Sequence, residues 1–97
     1  MSHWQSTLVI YGARPENTSV TMIFRALETI PEIKTFQGSC GCTNFNYNPK
    51  KRELFVKLNL NKIPPQVQGN MDIHKTITVF YTDETSEVLH IKGIITR

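Results

Sequence analysis

The sequence predicts an α+β domain: a mostly antiparallel sheet of four or five strands with one principal helix packed on one face, ferredoxin-like or a relative of that fold. Three observations predict it. A β-branched and aromatic run ends early at a glycine, an apolar stripe of helical spacing follows between Pro15 and Pro31, and from Asn44 onward the apolar period is two. With 97 residues there is room for one domain, residues 1–97.

Ser6-Thr-Leu-Val-Ile-Tyr-Gly12 is a strand signal closed by glycine. Pro15 bars its continuation, and Asn17 or Thr18 offers a side-chain oxygen to the unpaired amides of a helix start. Val20, Ile23, Phe24, Leu27 and Ile30 then fall on one helical face, and Pro31 ends it. Burying five such side chains at roughly 1.5–3 kcal/mol each makes this face the largest expected contribution to the core. Phe45 and Tyr47 alternate with asparagines, Asn48-Pro49-Lys50-Lys51 reads as a turn, and Leu54, Val56, Leu58 and Leu60 alternate with polar neighbours and Phe55, which is a hairpin. Asn61 to Asp72, with Pro64-Pro65 and Gly69-Asn70, is a loop. Thr76–Thr82 and Glu87–Thr96 form a second hairpin across Asp83-Glu84-Thr85-Ser86.

Alternation assigns faces. With Leu8, Ile10, Leu54, Val56, Leu58, Ile77, Val79, Leu89 and Ile91 toward the helix, Tyr11, Phe55, Lys57, Phe80, His90 and Lys92 point the other way. Eleven Lys and Arg against eight Asp and Glu give a net charge of +3, a lean toward polyanions. The expected site is therefore an open sheet face for single-stranded RNA or DNA, with Tyr11, Phe55 and Phe80 stacking on bases. Arg14, Lys50, Lys51, Arg52, Lys57 and Lys92 would neutralise phosphates.

The run Leu8-Val-Ile-Tyr-Gly-Ala-Arg-Pro-Glu-Asn-Thr-Ser19, leading into the expected helix, resembles the opening of an RNA-recognition-motif domain. Lys51-Arg-Glu-Leu-Phe-Val-Lys-Leu58 is similar to that family's eight-residue motif at Lys51, Phe55 and Val56, with Arg52, Glu53 and Leu58 departing from its glycine and aromatics. The resemblance covers about half the chain. It implies base stacking by Tyr11 and Phe55.

Other constellations are poorer. Cys40-Gly41-Cys42 has one residue between its thiols where zinc sites use two or more, and His3, His74 and His90 are scattered, so no metal site and no cofactor is expected. Extended, the two thiols lie about 7 Å apart on one face, too far for an unstrained disulfide. Asp72 and His74 share one side of an extended segment and could meet His90, but no paired carboxylates, nucleophile elbow or metal-ligand histidine pair occurs at a supporting spacing, so the chain is expected to be no enzyme. No apolar run approaches the ~20 residues of a membrane span, and the opening residues lack a signal peptide's basic and apolar segments, which predicts a cytoplasmic protein, or a nuclear one in a eukaryote. The alternative function is a protein-interaction module, an inhibitor or adaptor, docking through its sheet face or an edge strand, with a homodimer through that edge as one outcome.

Overall fold

A computed structural model describes residues 2–39, 41 and 43–97. The expectations for Cys40 and Cys42 fall outside these residues. Among the described residues the chain forms seven strands: β1 (Leu8–Pro15), β2 (Thr18–Arg25), β3 (Ile33–Gly38), β4 (Thr43–Asn48), β5 (Glu53–Leu60), β6 (Met71–Tyr81) and β7 (Ser86–Thr96). One sheet has the order β1-β7-β6-β3 and the other β2-β5-β4. β1 runs parallel to β7, and every other pair is antiparallel. This is the Greek-key connectivity of an immunoglobulin-type sandwich, with the first strand carried across to lie along the last. Topology of this kind hosts many unrelated functions and fixes none.

The expected α+β fold is thereby corrected. The described residues contain no helix, and so none long and apolar enough to cross a membrane. The segment expected to be the principal helix is β2 and the loop after it, and the layer that helix was to supply is a second sheet. Val20 and Phe24 satisfy both periods. Met22 decides between them, because it is buried beside them at strand spacing, whereas Ile23 and Leu27 of the helical stripe are 38% and 37% exposed. Thr18, Val20, Thr21 and Ile23 are β-branched, which favours the pleated conformation. β2 pairs in unbroken register with β5, from Thr18↔Leu60 to Arg25↔Glu53. Asn17 caps no helix; it takes a left-handed φ of 58° in the turn between the sheets, where the Thr18 hydroxyl donates to the Pro15 carbonyl at 2.6 Å.

The core lies between the sheets. Phe24, Leu54, Val56 and Leu58 from one sheet meet Ile77, Val79, Leu89 and Ile91 from the other, all essentially sealed from solvent, and Ile63 dips in from the loop after β5. Each such side chain contributes about 1.5–3 kcal/mol by leaving water. The inward parity expected for β5, β6 and β7 is the observed one. That of β1 is inverted: Leu8 and Ile10 are exposed, at 40% and 68%, and Val9 and Tyr11 pack on the core.

The N-terminal segment closes one side of the sandwich. It runs beside the end of β2 through a Trp4↔Ala26 bridge before crossing to the other sheet as β1. Buried Trp4 donates its indole N–H to the Tyr81 hydroxyl at 2.9 Å, and that hydroxyl donates to the Glu87 carboxylate at 2.9 Å. The Ser2 hydroxyl and the His3 amide also donate to Glu87, at 2.7 and 3.0 Å. Burial pushes the Glu87 carboxyl up, and these hydrogen bonds with the charge of His3 outweigh it, leaving Glu87 below its ordinary value. Burial and the bond to Glu87 push the Tyr81 phenol well up.

Candidate functional site: an aromatic groove beside a strand edge

A sandwich has two outward faces, and the residues expected on one platform are divided between them. Phe55 and Lys57 stand on the outside of the three-stranded sheet, flanked in register by Ile23 and Asn46, and by Thr21 and Asn44. By alternation with buried Ile77, Val79, Leu89 and Ile91, Phe80 and Lys92 stand on the outside of the four-stranded sheet, the opposite side of the molecule. Tyr11 joins neither face. Its ring covers Gly93, where an added Cβ would lie 2.1 Å from the Tyr11 Cζ, and its hydroxyl is buried without a hydrogen-bond partner among the described residues. Burial raises the Tyr11 phenol. Arg14 is exposed near the far end of β1.

Lys50, Lys51 and Arg52 occupy the β4–β5 turn. The Asn48 side-chain oxygen accepts from the amides of Lys50 and Lys51 at 3.1 and 3.3 Å, and Arg52 adopts a left-handed φ of 52° on entering β5. Arg52 then departs from its two neighbours. It joins the lining of an open groove of about 790 Å3 between the edges of the two sheets, together with Ile30, Phe36, Phe45 and Tyr47 and with the charged Glu28, Glu32 and Lys34. The rings form a connected cluster, with centroids 6.2 Å apart for Phe36–Phe45, 5.8 Å for Phe36–Tyr47 and 6.3 Å for Trp4–Tyr47. Trp4 is buried, whereas Phe36, Phe45 and Tyr47 pack on the core yet remain half-buried. Arg52 Nε is buried with no hydrogen-bond partner among the described residues, and its nearest recorded anionic contact is Glu28, 3.9 Å from Nη2 and 88% exposed. Burial raises the Tyr47 phenol, and the positive charge of Arg52 works against that rise.

The four sheet edges are unequal. An exposed edge offers its backbone hydrogen-bonding groups to any passing strand, and proteins blunt such edges with bulges, prolines, lysines or a covering segment. β1 has a register shift and ends in Pro15. β2 is flanked at its end by the N-terminal segment, with Gln5 N–H donating to Arg25 O and Leu27 N–H to His3 O, each at 2.8 Å. β3 carries Lys34 and a register shift between Ile33 and Thr35. β4, Thr-Asn-Phe-Asn-Tyr-Asn, has no charge, no proline and no shift along its pairing with β5. Its Phe45 and Tyr47 turn into the groove while Asn44, Asn46 and Asn48 turn out, so among the described residues the least protected edge, from Asn44 to Asn48, borders the aromatic groove.

His74 and His90 come together on the outer face of the four-stranded sheet. His74 Nε2 and His90 Nδ1 are 2.9 Å apart, so one ring donates its N–H to the other. Asp72 lies on the same face two residues before His74.

Sequence reasoning missed the groove. Phe36 lies in a short edge strand whose Ile33-Lys-Thr-Phe-Gln alternation is broken by the shift, and Phe45 and Tyr47 were recognised as strand residues without a face. The signal was the asparagine at every outward position of β4, which marks Phe45 and Tyr47 as inward. No family model, no curated protein and no solved structure matches the chain.

Proposed function

We propose that this chain is a protein-interaction module that binds an extended segment of a partner by strand addition to β4. The observation that carries the proposal is the β4 edge over Asn44–Asn48, unblunted among the described residues, bordering a groove lined by three aromatic rings and by Arg52, Lys34, Glu28 and Glu32. Main-chain hydrogen bonds along β4 supply affinity without regard to sequence, and alternate side chains of the added strand meet the groove, which supplies selection. Phe36, Phe45 and Tyr47 offer apolar contact, and Arg52 offers charge-assisted hydrogen bonds to a carboxylate. The partner segment is therefore one of alternating apolar residues with an aspartate or glutamate placed to reach Arg52.

The test is selection from a displayed library of random decapeptides, followed by affinity measurement on the winners. Extended acidic-apolar peptides are expected. Asn46→Lys, which places a guarding charge on the edge without touching the groove, and Arg52→Met should each weaken binding at least tenfold with the fold intact by amide NMR. Selection of nothing, or winners indifferent to both changes, would refute the reading.

A second reading has one observation in its favour. Lys50, Lys51, Phe55 and Lys57 share the β4–β5 hairpin, and the only carboxylate on the outward side of β5, Glu53, is paired with Arg25. That face suits a short single strand of RNA or DNA, which would bind with a steep salt dependence and weaken when Phe55 and Lys57 become alanine.

A further inference from the structure

We propose that His74 and His90 form a two-histidine site for a divalent transition-metal ion of tetragonal preference, Cu(II) or Ni(II), on the outer face of the four-stranded sheet. The site is separate from the β4 groove and does not depend on it.

The register places the pair. His74 lies opposite Lys92 and His90 opposite Thr76 in the antiparallel β6–β7 ladder, so the two histidines are diagonal neighbours on one face. Both strands are interior to their sheet and anchored from beneath by fully buried Ile77, Val79, Leu89 and Ile91. Their backbones are thus held before any ion arrives, and little ordering remains to oppose chelation.

The distance is compatible with a tetragonal ion. Imidazole nitrogens bind a divalent first-row metal at about 2.0–2.1 Å. Two nitrogens 2.9 Å apart then subtend about 90° at a shared ion, the angle between neighbouring positions of a square plane or octahedron. A tetrahedral ion such as Zn(II) would hold them roughly 3.3 Å apart. The ring planes are tilted by 33° with centroids 5.1 Å apart, and each ring turns by about 45° from the hydrogen-bonded arrangement to aim its lone pair at a shared ion. For the ion to enter, the donating ring takes its other neutral tautomer, its proton passing through solvent to the far ring nitrogen, so that both facing nitrogens present lone pairs and no net proton is released. Among the described residues no third histidine, aspartate or glutamate completes a cluster, so water fills the remaining positions. A shallow cleft bordered by Ile10, Asp72, His74 and Lys92 adjoins the His74 side of the pair. The Lys92 ammonium, cross-strand from His74, opposes a cation there.

Cu(II) added below stoichiometry to the full chain carrying Cys40→Ser and Cys42→Ser, which removes thiols that would bind or reduce it, is read by paramagnetic broadening of amide NMR signals. The expected result is broadening centred on residues 72–76 and 88–92. His74→Gln or His90→Gln should abolish it and raise the apparent Kd at least tenfold, while Lys92→Ala should lower the Kd a few-fold. Broadening confined to the surroundings of His3, or broadening at 72–76 that survives both histidine changes, would overturn the proposal. If the double serine variant does not give a folded spectrum, Ni(II) titrated into the reduced wild-type chain, with the same histidine changes, decides by the same criteria.

Discussion

Tyr11 and Gly93 make one contact from two residues, because the ring occupies the space that any side chain at 93 would need. With an added Cβ 2.1 Å from the ring, Gly93→Ala must displace Tyr11 or bend β1 away from β7. Overpacking of this kind costs about 1–3 kcal/mol, and the cost should largely vanish in a Tyr11→Ala background, a coupling that urea denaturation of the four variants measures. Tyr11→Phe should cost less than about 1 kcal/mol, since the hydroxyl has no hydrogen-bond partner among the described residues. Glu87 gives the fold an acid sensitivity. Its carboxyl sits below the ordinary value of 4.5, so folding favours the ionised form. That contribution is complete above about pH 4.5 and is lost as pH falls through the lower folded-state value. Thermal unfolding should therefore show a midpoint that drops more steeply below pH 4.5 in the wild type than in Glu87→Gln.

At the scale of elements the decisive piece is β2. Met22 is buried and Leu27 is 37% exposed, the reverse of what a helical stripe through Val20, Ile23 and Leu27 requires. Met22→Ala should destabilise by about 2–5 kcal/mol and Leu27→Ala by less than about 1 kcal/mol, by chemical denaturation. A helix over the same residues would invert that order. This is also where the sequence was ambiguous: Val20 and Phe24, four apart, belong to both periods, and the positions that separate them, Met22 and Ala26 against Ile23 and Leu27, are apolar in either case. β5 and β6 carried no such ambiguity, since Leu54-Val56-Leu58 and Ile77-Val79 alternate with polar or solvated residues, whereas in β7 Val88, Ile94 and Ile95 blur the alternation. β3 was illegible because an edge strand buries one side of a few residues and a register shift hides even that.

At the scale of the whole molecule, parity says which side of a strand is wet but not which sheet the strand belongs to. Phe55 and Phe80 both point outward as the alternation requires, and they do so on opposite faces because β5 and β6 lie in different sheets. Sheet membership is decided by long-range pairing, the β2↔β5 ladder on one side and β1 crossing to β7 on the other, which no local pattern encodes. The candidate site arises at the same level: Phe36 and Arg52 come from different sheets and meet only where the sandwich opens between β3 and β4. The most direct measurement is amide hydrogen exchange along β4 with and without a selected acidic-apolar peptide. Strand addition predicts slowed exchange for the β4 amides on the side away from β5, with the Phe55 and Lys57 face unchanged. Unaltered β4 exchange with a bound peptide, or protection confined to the outer face of β5, would contradict it.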